Sequence, residues 1–163
     1  MSYGRFAAMI ATSTIVMFGL MYLNTYAFEH VRYSQTRTWM ALVMGATMAI
    51  VMLAFMWKMY RNSSANIAIL VGSVAVFAVA LWLARSQETV YDVSYMKAMI
   101  PHHSIAIMTS ERAHIRDPRV RKLADEIIEA QIREIAEMET LIAELEANPP
   151  GQDARDLAPV GRP

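Results

Sequence analysis

Three long stretches in the first half of the chain carry no charged residue, and nothing else in the sequence limits the fold as strongly. Phe6 to Phe28 covers 23 positions, Trp39 to Trp57 covers 19 and Ile67 to Ala84 covers 18. A bilayer-spanning helix needs about 20 apolar residues, within a range of roughly 17–25, so each stretch qualifies. Three in succession are hard to reconcile with the core helices of a water-soluble domain. Trp39, Trp57, Tyr60 and Trp82 lie at or near the ends of the runs, where amphipathic rings favour the headgroup layer. The first run follows Arg5 as a signal peptide would. Its length, its Thr12, Ser13, Thr14 and Asn24, and the lack of a small-residue cleavage pattern after it favour a retained anchor.

Charge divides the chain at the same place. Residues 1–85 hold six Lys/Arg and one acid, Glu29, for +5; residues 86–163 hold nine Lys/Arg and fourteen Asp/Glu, for −5. Their sum is the net charge of zero, and no basic nucleic-acid surface emerges. Arg5, Lys58 and Arg61 fall on one side of a three-span anchor, with Arg32, Arg37 and Arg85 on the other. Counting the amino terminus, the bias slightly favours an inward N-terminus. The second half would then lie outside, in the periplasm if the membrane is a bacterial inner membrane. The connection holding His30 would share that side.

After Arg85 the texture becomes that of water-facing helices. Asp92 reads as a helix start, with the helix reaching to near Arg116. Asp117-Pro118 is a second start, with Asp as N-cap and Pro at the first helical position. Val120, Leu123, Ala124, Ile127, Ile128, Gln131, Ile135, Met138, Leu141, Ile142 and Leu145 then recur at spacings of three and four, an amphipathic helix. Asn148-Pro149-Pro150-Gly151 ends it. The expected fold is all-α. A three-span transmembrane anchor (1–85) precedes an extramembrane two-helix hairpin (86–147), half of a four-helix, ferritin-like bundle, and a flexible tail (148–163). A hairpin this small buries little alone, so a second copy or a partner membrane protein is expected to complete the bundle.

The chemistry concentrates in Met96-Lys-Ala-Met-Ile-Pro-His-His103. The chain has four histidines, fourteen methionines and no cysteine, so thiolate sites and disulfides are excluded together. Imidazole with thioether suits copper in either oxidation state better than zinc, calcium or magnesium. At about 100° per residue, Met96, Met99, His103 and His114 lie within roughly 60° of one another on one helix face. His102 lies about 60° beyond Met99, beside Tyr95, and a kink at Pro101 is expected to bring it closer. Gln131, Glu134 and Met138 of the next helix are placed to add ligands or supporting contacts. The competing reading is a histidine pair with only a structural role, and spacing alone favours that one. The di-iron pattern of paired Glu-x-x-His helices is absent, since Glu111 and His114 have no mate in the chain. Met40, Met44, Met48, Met52 and Met56 recur every four residues on the second span, a row read as adaptable packing more readily than as a copper path.

Asp92, Tyr95, Met99-Ile-Pro-His-His103, Ala106-Ile107, Ala124, Ile127, Gln131, Glu134-Ile135 and Met138 resemble the domain-of-unknown-function 305 family. The likeness covers about 50 residues and leaves the apolar runs outside. It implies a helical domain linked to copper binding and tolerance, with Met99, His102, His103 and Met138 as ligands; Met96 joins them by spacing. The expectation is a protein anchored in the lipid bilayer whose extramembrane hairpin binds copper and buffers, sequesters or hands it over, without catalysis. The rival is a structural or interaction subunit of a larger membrane complex.

Overall fold

The computed structural model describes residues 2–151, 153–157 and 161. Among these the protein is all-α, with no strand: α1 (Tyr3–Leu20), α2 (Gln35–Met56), α3 (Ser63–Ser86), α4 (Asp92–Arg112) and α5 (Pro118–Ala147). Four of the five starts are written in short polar side chains. Ser2, Ser34, Asn62 and Asp117 each accept a hydrogen bond from an N–H two or three residues on, at 3.3, 3.3, 3.1 and 2.8 Å, which satisfies a donor that the first helical turn leaves unpaired. α4 instead begins after Tyr91, whose N–H donates to the Ser94 hydroxyl at 2.7 Å. Asp92, expected as the cap, is the first helical residue.

α1, the stretch from Gln35 to Met59 that contains α2, and α3 are long and apolar enough to cross a membrane. α2 is central, with α1 and α3 packed on it. α1 lies tight against α2 at Gly45, where an added Cβ would overlap the Thr14 hydroxyl. At the Ser2 end, Phe6, Ala49, Leu53 and Tyr60 form a buried cluster. Asn66, fully buried, donates to the Tyr60 carbonyl at 3.0 Å and accepts from the Tyr3 hydroxyl at 2.8 Å, so its polar groups are matched. Tyr60 is therefore a core residue, 4.9 Å from the Tyr3 ring.

The first apolar run does not continue as helix to Phe28. α1 stops at Leu20, and residues 21–34 form turns and a short 3₁₀ turn at Phe28–His30. Tertiary hydrogen bonds claim this backbone: the Tyr26 N–H donates to Ser104 Oγ at 2.8 Å, and the Ser34 N–H to the Tyr22 hydroxyl at 3.1 Å. At about 1.5 Å per residue, the 18 residues of α1 span about 27 Å, close to the ~30 Å of a bilayer's hydrocarbon core.

α4 and α5 pack against each other and run antiparallel, as pairing of Lys97 with Glu146 at 2.6 Å and His103 with Glu134 at 3.1 Å requires. Their core is Ile100, Ile107 and Ile135, with Ile128, Met138 and Ile142 against it. α4 ends at Arg112, one turn short of expectation, because residues 113–117 must reverse the chain before the Asp117 cap. His114 thus leaves the helical face and is exposed in the turn.

The pair is fastened to the 21–34 connection, and the segment leading into it from α3 is held to α2. Ser104, fully buried, holds the Tyr26 N–H and, at 2.9 Å, His30 Nδ1. Arg32 meets Glu139 at 3.4 Å, the Trp39 indole N–H donates to Thr89 Oγ1 at 3.2 Å, and the Thr36 hydroxyl donates to Gln87 Oε1 at 3.2 Å. Gln87 closes α3 in the left-handed region, at φ 56°. The 21–34 connection, with His30, therefore lies on the same side of the three helices as the pair. Part of the expected tail, residues 152, 158–160, 162 and 163, lies outside the described residues. Gly151, Ala154 and Leu157 share the wall of a cavity of about 960 Å³ with Tyr91 and Tyr95.

Candidate metal centre

α4 sends its residues to two sides. Ile100, Ser104 and Ile107 point into packed interfaces and are buried. Met96, Met99 and His103, at steps of three and four, share the adjoining face, as about 100° per residue dictates. Opposite them α5 contributes Glu134, Met138, Leu141 and Leu145 at the same steps. Together these residues line an open cleft of about 520 Å³, with Asp92, Tyr95 and Glu137 on its walls.

The cleft gathers six of the eight residues singled out from sequence: Met96, Met99, His103 and Met138, with Tyr95 and Glu134. Met96 is buried, Met99 and Met138 are half-buried, and Tyr95 is exposed. His102 does not join them. It is exposed, with its ring 6.3 Å from that of His103. Pro101 is accommodated within a continuous helix and is itself buried, so the expected kink does not carry His102 to the cleft. Gln131 stands beside the cleft, its amide 3.5 Å from Glu134.

His103 is the one imidazole in the cleft. Its side chain is mostly buried, and Nδ1 lies 3.1 Å from a Glu134 carboxylate oxygen. That approach lacks hydrogen-bond direction, and Nδ1 is a buried polar atom without a hydrogen-bond partner among the described residues. Desolvation is the main influence on its pKa, pushing it below 6.5; the nearby Glu134 carboxylate opposes the shift and His102 adds to it. Neutral imidazole, the metal-binding form, is favoured as a result.

Among the described residues, no three His, Asp or Glu side chains converge on a point that can hold a metal ion. What lines the cleft is softer: three thioethers and one imidazole, with carboxylates on the walls. That donor set fits Cu(I), which accepts thioether sulfur, and is poor for hard cations that demand oxygen. Asp92 and Glu137 were not picked out as cleft residues from sequence. Their signal was there in spacing, since Asp92 sits four residues before Met96 and Glu137 three after Glu134.

Residues 82–157 match the family model described as "Domain of unknown function (DUF305)". An uncharacterised protein of Acanthamoeba polyphaga mimivirus is 30% identical over 144 residues, covering 84% of this chain and 93% of that protein. The chain belongs to the DUF305 family. The family match takes in the end of α3 and all of α4 and α5, so every cleft residue is inside it. Likeness to the viral protein is longer than the family match and so extends into the apolar helices. No solved structure matches the chain.

Proposed function

We propose that this DUF305 protein is a membrane-anchored copper-binding protein that buffers, sequesters or hands over copper without catalysis. The observation that carries the reading is that Met96, Met99 and Met138 line one cleft with His103, whose buried Nδ1 has no hydrogen-bond partner among the described residues. Those four side chains would hold the ion. Copper supplies soft acceptor character and access to two oxidation states. Glu134 would accept an N–H of His103 once the ring turns to the metal, an orienting role typical of groups behind metal-bound histidines. His102 is left out of the ligand set.

The bilayer is the first partner, through α1, α2 and α3. A second copy, or a partner membrane protein, is the second. One edge of α5 rests on α4, while Val120, Leu123 and Leu141 on the other edge are at least 40% exposed. A second helix pair laid on that edge would complete a four-helix bundle and close the cleft. The positive-inside bias favours the pair on the outer side of the membrane, which is the periplasm in the bacterial inner membrane proposed for this protein. The same exposed edge favours a second reading, an interaction subunit whose histidines are structural.

Titration of the full chain in detergent with Cu(I), against a competing chelator, separates the two. A copper-binding protein takes up the ion, and Met99→Leu with His103→Ala lowers affinity at least tenfold. Equal uptake by the wild type and this double variant would sink the copper reading.

A further inference from the structure

α4 and α5 touch along their isoleucine core, and that core has two sides. The cleft is on one of them, faced by His103 from α4 and Met138 from α5. The next residue on each helix is turned by about 100°: Ser104 after His103, and Glu139 after Met138. In the same sense, Ile100 and Ile107 lie about 60° and 40° round from His103, and Ile135 about 60° round from Met138. The core therefore stands between the cleft and the pair Ser104 and Glu139.

One segment grips both of these residues. The Tyr26 N–H and His30 Nδ1 meet Ser104 Oγ at 2.8 and 2.9 Å, and Arg32 reaches Glu139 at 3.4 Å. Residues 26–32 thus form a strap from α4 to α5 across the side of the core away from the cleft. The segment is tied in turn to the start of α2. The Ser34 N–H donates to the Tyr22 hydroxyl at 3.1 Å, and the Arg37 guanidinium lies 4.4 Å from the centre of the Tyr22 ring.

We propose that strap and cleft oppose each other across the core: closing the cleft on an ion strains the strap, and the engaged strap holds the cleft open. The inference rests on the copper reading above and concerns how the ion is let go. Met96, Met99 and His103 come from α4 and Met138 from α5, and the cleft of about 520 Å³ is far larger than one ion. An ion held from both sides draws the helices together there. A close-packed core yields little, so the helices roll about it and Ser104 and Glu139 part. The contact that gives way is the weakest one, the exposed Arg32–Glu139 pair. Such coupling is reciprocal, so the strap weakens copper binding by the factor by which copper weakens the strap. Firming the strap from the membrane side then lowers copper affinity, as hand-over requires.

Cu(I) titration of the full chain in detergent, against a competing chelator, tests the sign. Arg32→Ala and Glu139→Gln should each raise affinity, by about two- to fivefold, the worth of an exposed ion pair. Plain charge attraction predicts a different pattern: loss of a cation raises affinity and loss of a carboxylate lowers it. Amide exchange of the wild type at a single pH gives a second readout. On copper loading the α4 and α5 amides should slow, while the Tyr26 amide, bonded to Ser104, exchanges faster. Glu139→Gln that lowers affinity or leaves it unchanged overturns the opposition, as does a Tyr26 amide that copper slows or leaves as it was. Copper uptake without these signed effects refutes the inference alone. No uptake by the wild type refutes the copper reading, and the inference falls with it.

Discussion

Ile100 is the residue on which packing and site most visibly depend together. It is fully buried at the centre of the α4–α5 core, beside Met138, which also lines the cleft. Ile100→Ala removes three buried carbons, worth about 2.4 kcal/mol at ~0.8 kcal/mol each. The cavity left behind adds to this, bringing the expected cost to about 3 kcal/mol, inside the ~2–5 kcal/mol range for such truncations. The neighbour best able to relax is Met138, unbranched and adaptable. Its movement inward would withdraw a thioether from the cleft. Amide hydrogen exchange on the full chain in detergent should therefore show α4 and α5 amides exchanging about 150-fold faster, while α2 and α3 are unchanged. Copper affinity should fall in the same variant, and Ile100→Val should cost only about 0.5–1.5 kcal/mol. Acceleration below tenfold would mean that the pair is not held by this core, and the link from packing to site would fail with it.

Without copper, the α4–α5 pair should lose stability as pH falls below 6.5. The His103 pKa is depressed in the folded chain, so the unfolded chain binds the extra proton first and stability present above 6.5 declines toward the folded value, by at most about 1.4 kcal/mol per pH unit. Exchange protection of α4 and α5 at pH 7 and pH 5, taken relative to the intrinsic amide rate at each pH, checks this, and the pH difference should shrink in His103→Gln. Ser104→Ala strands the Tyr26 N–H and His30 Nδ1 and should cost about 1–3 kcal/mol, seen as faster exchange at Tyr26 and faster proteolysis of residues 21–34. Gly45→Ala forces a methyl into Thr14, whose hydroxyl is engaged with the Ile10 carbonyl at 2.8 Å; about 1–3 kcal/mol of overpacking cost is expected, read as a lower thermal midpoint in detergent. Thr14→Ser should not reproduce it.

The sequence made some features legible because their causes are local. Asp117-Pro118 fixes the start of α5 by capping geometry alone, and the apolar runs fix three long helices by composition. Helical arithmetic brought Met96, Met99 and His103 to one face, and the three-and-four pattern on α5 brought Met138 and Glu134 opposite them. What escaped depended on contacts distant in sequence. The end of α1 at Leu20 follows from the Ser104 and Tyr22 hydroxyls accepting the backbone N–H groups of Tyr26 and Ser34, contacts distant in sequence. His102 misled because an adjacent pair invites a shared role, yet neighbouring positions on a helix diverge by about 100°, and buried Pro101 left the helix continuous. The burial of Tyr60 likewise depends on Tyr3 and Phe6, more than fifty residues away in the chain.

The fastenings around Ser104, Arg32, Trp39 and Gln87 bear on how the protein meets others. A module on a loose tether samples every direction and collides as a particle in solution does. Here α4 and α5 are tied to the 21–34 connection, and the segment that joins α3 to α4 is held to α2, so the heading of the pair follows that of the three apolar helices. Seated in a bilayer, those helices leave one free rotation, about the membrane normal. Every copy would then present its cleft at the same height and tilt, and the search for a matching copy becomes a planar turn-and-meet problem. Weak complementary edges can assemble under those conditions at surface densities where the same edges, untethered in three dimensions, would stay apart.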